Sequence, residues 1–161
     1  MSGTNKSMLR RFAETLYFAA LTLWVGGLWT IGYVVAPTLF STLADRQLAA
    51  MLAGKLFFLI GWIGLGCAVY LLVFMLFRMG SVALKRSSFW WVLLMLGLTA
   101  ISLFGIHPLL AQLKADALPR EVMESVLRDR FVTWHGISSI LYLMQSLLGL
   151  LLVVGAGRGL K

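Results

Sequence analysis

Charge is scarce in this chain. Only 12% of its 161 residues are Asp, Glu, Lys or Arg, and just six of those are acidic. Soluble domains carry about a quarter charged residues, so this composition excludes an ordinary water-soluble fold and equally a disordered, charge-rich segment. Cysteine is reduced to Cys67, which excludes a disulfide framework and any paired-cysteine metal motif, leaving Cys67 as a small apolar packing residue. Histidine occurs twice and proline three times. No serine–histidine–acid arrangement, glycine-rich phosphate loop or metal-binding cysteine pattern is present, and the reading favours a non-enzymatic protein without deciding the point.

What the chain has in abundance is apolar sequence, 60% of residues with a mean hydropathy of +0.91. It is gathered into four runs, 15–35, 56–77, 89–110 and 131–154. Each is about 21 to 24 residues and so roughly 32 to 36 Å as helix, enough to cross a bilayer. In lipid the backbone must satisfy its own hydrogen bonds, so such runs are helices. The predicted architecture is an all-α, antiparallel four-helix transmembrane bundle forming one domain over 1–161, with short amphipathic helices in the two outer connections. The bilayer is its first partner.

The net charge of +8 does not point to nucleic acid, because the basic residues sit at the span borders. Lys6, Arg10, Arg11, Arg78, Lys85, Arg86, Arg158 and Lys161 fall on one side. Arg46, Lys55, Lys114, Arg120, Arg128 and Arg130 fall on the other, beside Asp45, Asp116, Glu121, Glu124 and Asp129. Compact clusters near the spans predict both termini in the cytoplasm. The first run is read as a span rather than a cleaved leader, since it is too long and Pro37 would follow the Val34-Val35-Ala36 site.

The two outer connections share a plan. Ala36-Pro37 leads through 43–53 to Lys55 and Phe57, and His107-Pro108 leads through 121–127 to Arg130 and Phe131, which suggests duplicated hairpins. Pro119 with the acids after it predicts a short surface helix whose Val122, Met123, Val126 and Leu127 form one face. Pro37 and Pro108 would free the carbonyls of Tyr33 and Phe104, producing kinks or helix ends.

Membrane helices pack through small and hydrogen-bonding residues, which predicts the inward faces. These are Thr15, Ala19, Thr22, Gly26, Thr30 and Tyr33, with Gly27 beside them, in span one. Gly54, Gly61, Gly64 and Ala68 follow in span two, and His135, Ser138, Ser139, Tyr142, Gln145, Ser146 and Gly149 in span four. In span three, Thr99 and Ser102 turn away from His107. A homodimer or a membrane-protein partner is compatible with these faces.

His107 and His135 fall at one depth, about 5 to 6 Å inside the outer boundary of adjacent antiparallel spans. Axes about 8 to 10 Å apart would let the imidazoles close on one ion or cofactor, with Tyr33 and Lys55 at similar depth and Trp134 and Phe104 as an aromatic wall. Imidazole suits zinc, copper or haem iron, so a metal ion or haem, a small apolar ligand, proton handling and a purely structural hydrogen bond all remain open. Met75 and Met79 could hold a soft ion but equally serve packing.

The segments Leu23-Trp24-Val25-Gly26-Gly27-Leu28-Trp29 and Val35-Ala36-Pro37-Thr38-Leu39-Phe40, with Trp134-His135-Gly136, form a signature across nearly the whole chain. It resembles an uncharacterised domain-of-unknown-function family of small four-helix membrane proteins related to eukaryotic transmembrane protein 205. Trp24, Gly26, Gly27, Pro37, Phe40, Pro108, Trp134 and Gly136 would be its structural motif. The resemblance implies a bacterial inner-membrane bundle without an established activity. More distantly the pattern is similar to copper-resistance D-type proteins and to the haem-associated oxidases of porphyrin synthesis. Those carry a histidine early in span one, where this chain has Thr15, Leu16 and Tyr17.

Overall fold

The computed structural model describes residues 3–117 and 122–158, with side chains over 8–117 and 123–156. Helix α1 runs through Gly3–Thr30, a π turn at Ile31–Val35 and Ala36–Thr42. Helix α2 is Arg46–Met79, α3 spans Ser87–Ala117 with a π turn at Ile101–Ile106, and α4 is Arg128–Arg158. The apolar helical stretches measure 35, 40, 31 and 29 residues. At 1.5 Å per residue that is roughly 44 to 60 Å, so each can cross a hydrocarbon core of about 30 Å and reach past it or tilt within it. Each helix packs against its neighbours in sequence and α4 closes back on α1, the arrangement of an up-down-up-down bundle. The end carrying the α1–α2 and α3–α4 connections is called distal, and the end carrying the termini proximal.

The helices outrun the apolar segments because nothing stops them. The stretch 43–53, predicted as a separate amphipathic connection, is mostly the first turns of α2. Asp45 caps that helix, its Oδ1 accepting from the backbone N–H groups of Gln47 and Leu48 at 2.8 and 3.1 Å. The connection is left with about three residues. In the α3–α4 connection, Pro119, Arg120 and Glu121 lie outside the described residues, and Val122–Glu124 forms one 3₁₀ turn. At the proximal end α2 stops at Gly80, whose φ of +55° is the left-handed conformation that favours glycine.

Neither Pro37 nor Pro108 ends its helix. Each is preceded by a π turn in which the residue just before the proline donates five residues back, Ala36 to the Ile31 carbonyl and His107 to the Ser102 carbonyl. The wider π turn relieves the clash of the proline ring with the preceding turn, and the helix continues. The same device at the same place in α1 and α3 is the clearest common feature of the two hairpins.

The core is built on Trp24, fully buried, with Leu21, Val25 and Leu28 of α1, Ile60, Ala68 and Leu71 of α2, Val92 and Met95 of α3 and Leu152 of α4. Cys67 is buried among them. Gly64 and Gly61 face inward as predicted: a Cβ on Gly64 would overlap the Trp24 indole, and one on Gly61 would meet Leu103 Cδ2 at 2.8 Å. The predicted inward stripe of span one is reversed. Thr15, Ala19, Thr22, Gly26, Thr30 and Tyr33 are all exposed, because the large side chains on the opposite side of α1 fill the bundle. Only Gly27 serves the interior, making room for Ile60.

Two reciprocal side-chain bonds fasten α4 to α1. The Tyr142 hydroxyl donates to the Leu28 carbonyl, and Trp29 Nε1 donates to the Ser146 carbonyl at 3.3 Å. Thr99 on α3 donates to Met95 O at 2.8 Å and lies 3.3 Å from Gln145 Oε1. The proximal end is clamped by Glu14, a residue the charge-based reading passed over: its carboxylate accepts from Arg10 and Arg78, both at 3.2 Å. Tyr70 donates there to the Ala13 carbonyl at 3.0 Å.

Candidate functional site

Both histidines lie toward the distal end of the bundle, on α3 and α4. His107 and Lys114 are two turns apart and so on one face of α3, while Phe131 and His135 are one turn apart on α4. The Lys114 ammonium stands 5.7 Å from the centre of the Phe131 ring. The His135 imidazole stacks on that same ring, 5.7 Å away and nearly parallel at 8°. His107, half-buried, meets the edge of Phe58 on α2 at 6.0 Å. The ring contacts of the two histidines fall on different helices: His107 meets Phe58 of α2, whereas His135 and Lys114 share the Phe131 ring of α4.

His135 and Lys114 thus share one aromatic ring, and His107 stands on the Lys114 face of α3. Among the described residues no hydrogen bond joins the imidazoles, and no group of three His, Cys, Asp or Glu side chains that could hold a metal ion occurs. Beside Phe131 stands a half-buried ammonium, and ammonium groups are donors only. A cation placed between the imidazoles would face that charge, so the donor set fits an anion better than a metal ion or haem iron.

Tyr33 takes another place. Tyr33 packs against Trp29 at 5.3 Å and against Tyr142 at 6.4 Å, and Tyr142 in turn meets Phe57 edge-on at 5.1 Å. That aromatic cluster joins α1, α2 and α4. Lys55 is exposed on α2, about one turn before Phe58. The aromatic wall is also differently made: Phe58 and Phe131 flank the histidines. Phe104, 61% exposed, leans outward on Trp62, and Trp134 is exposed as well. Of the remaining motif residues, Phe40, Pro37 and Pro108 are exposed, and Gly136 has open space around it. The polar stripe of α4 is buried only over Gln145, Ser146 and Gly149, with Tyr142 partly covered. His135 and Ser139 stay open.

Sequence reading treated Lys114 as a border charge and Phe131 as a span opener. The signal that would have found them is the helical register, which sets Lys114 under the same face as His107 and Phe131 beside His135.

Four apolar helices in an antiparallel bundle, each long enough to span a bilayer, define the architecture of a multi-pass membrane protein. The family model described as Domain of unknown function (DUF4149) matches residues 19–119, and the chain belongs to that family. His107 and Lys114 fall inside the matched segment, Phe131 and His135 beyond it. No curated protein and no solved structure matches the chain.

Proposed function

We propose that this is a non-enzymatic integral membrane protein of a bacterial inner membrane that holds a small ligand in the recess between α3 and α4, in support of transport or resistance. In this reading both termini are cytoplasmic and the distal recess lies in the outer leaflet. Kinship with transmembrane protein 205 belongs to the same reading. The observation that carries the proposal is the pairing of the Lys114 ammonium and the His135 imidazole on one Phe131 ring, with His107 on the Lys114 face of α3. Half-buried ionisable side chains within a membrane-spanning helix commonly mark ligand or ion sites.

The test is native mass spectrometry on protein gently extracted from its membrane, with metal quantification and an absorption spectrum on the same sample. The wild type is expected to carry a small-molecule adduct that a His107→Ala/His135→Ala variant loses. Metal should stay well below one equivalent, with no Soret band. Stoichiometric metal or haem that disappears in the double variant would replace this reading with a metal or haem centre.

A second reading, a self-associating structural subunit, is favoured by the exposed Thr22, Gly26 and Thr30 stripe on α1. Small residues at four-residue spacing let two membrane helices approach closely, and Gly26 has nothing within 4 Å. A Thr22→Cys variant in a Cys67→Ala background is expected, on this reading, to form disulfide-linked dimers in native membranes under mild oxidation. Equal crosslinking from Leu23→Cys, about 100° round the helix, would count against a defined α1 interface.

A further inference from the structure

We infer that the α3–α4 recess selects an amphiphile with an anionic head, a phosphate or carboxylate carried on an alkyl chain; this rests on the recess being a ligand site at all. The first support is how Lys114 is partnered. Among the described residues the only ion pairs are those of Glu14 with Arg10 and Arg78, at the opposite end of the bundle. Lys114 has no carboxylate partner among those residues. Asp116, Glu124 and Asp129 are exposed around the same end, as are Arg128 and Arg130. A half-buried ammonium gains most from an anion that reaches it directly, and a phosphate or carboxylate accepts its hydrogen bonds with charge assistance.

The second support is the surface that begins at His107, two turns from Lys114 on the same face of α3. From His107 an edge-to-face series of rings runs along the outside of α2 and α3: Phe58 to Trp62 at 6.2 Å, then Trp62 to Phe104 at 5.7 Å. Phe58, Trp62 and Phe104 are 46%, 45% and 61% exposed, so the series faces the hydrocarbon. An alkyl chain whose head is held at Lys114 can lie along it. Basic sites between membrane helices bind anionic lipid headgroups. A free anion would use the lysine and leave the aromatic series unemployed.

The experiment titrates the full-length protein in maltoside micelles with phosphatidylglycerol, with phosphatidylcholine of the same chains, and with inorganic phosphate, reading occupancy by native mass spectrometry and the thermal midpoint. The wild type is expected to bind phosphatidylglycerol at least about tenfold more tightly than phosphatidylcholine, and Lys114→Gln to erase about that factor, while Lys114→Arg keeps most of it. Equal affinity of the wild type for the two lipids, or an undiminished preference in Lys114→Gln, overturns the inference. Inorganic phosphate stabilising as strongly as phosphatidylglycerol overturns the amphiphile in favour of a free anion. If selectivity is absent but His107→Ala/His135→Ala still loses both lipids, the charge selection has failed and the ligand site stands. If that double variant binds both lipids as the wild type does, the site itself has failed.

Discussion

Trp24→Ala is expected to be among the most damaging single substitutions in the bundle, costing about 3 to 5 kcal/mol, the range for emptying the site of a buried large aromatic. Trp24 is wholly enclosed, and its indole lies against Gly64 of α2 within a cluster drawn from all four helices. Lipid tails cannot fill the void from outside, so the neighbours must collapse or stay apart. Trp24→Phe is expected to cost much less. The indole Nε1 finds no hydrogen-bond partner among the described residues, so the smaller ring gives up contact area but also removes a buried, unsatisfied donor. Reversible unfolding in mixed micelles, followed by far-ultraviolet circular dichroism, measures both; a Trp24→Ala loss below about 1 kcal/mol would show that the indole is not the keystone described.

The complementary substitution acts from the other side of the same contact. Gly64→Leu is expected to destabilise the protein by about 1 to 3 kcal/mol or more, because the new side chain must displace the Trp24 ring or push α1 away from α2. Gly97→Leu is the control: Gly97 is exposed on α3 with nothing within 4 Å of a built Cβ, so leucine there meets lipid and should change stability by less than about 0.5 kcal/mol. Pairing Gly64→Ala with Trp24→Phe should recover part of the Gly64→Ala loss, since the smaller ring leaves room for the added methyl. Strictly additive losses would mean that the two residues do not share one contact.

This contact also shows why composition alone misjudged α1. In membranes small residues are the usual mark of a helix interface, and Thr22, Gly26 and Thr30 carry that mark. Yet the bundle interior is filled by the large side chains Leu21, Trp24, Val25 and Leu28, and the matching small residue is on the partner helix at Gly64. A close helix pair needs one small surface for each large one, and which helix supplies it is decided only when both are in register. On α2 the small-residue rule held at Gly61 and Gly64 for the same reason.

The prolines illustrate a second limit. Their positions are plain in the sequence, but the response to them is a property of the whole hydrogen-bond ladder. Here α1 and α3 each open a π turn just ahead of the proline and continue. That choice carries His107 onward in helical geometry toward Lys114, and so determines which residues share the recess.

By itself, the sequence determined that the chain forms four helices able to cross a bilayer and turn back on themselves, because about twenty consecutive apolar residues in lipid have no other way to satisfy their backbone. It also predicts one level for His107 and His135, since depth follows from counting residues along neighbouring spans. Only the tertiary structure decided what surrounds them. Azimuth and side-chain packing brought Lys114 and His135 to one Phe131 ring, sent Tyr33 to Trp29 and Tyr142, and turned the small-residue face of α1 outward. Hydropathy fixes depth because it is a sum along one helix; rotation about the helix axis is fixed by shape complementarity between helices, which no single run of sequence contains.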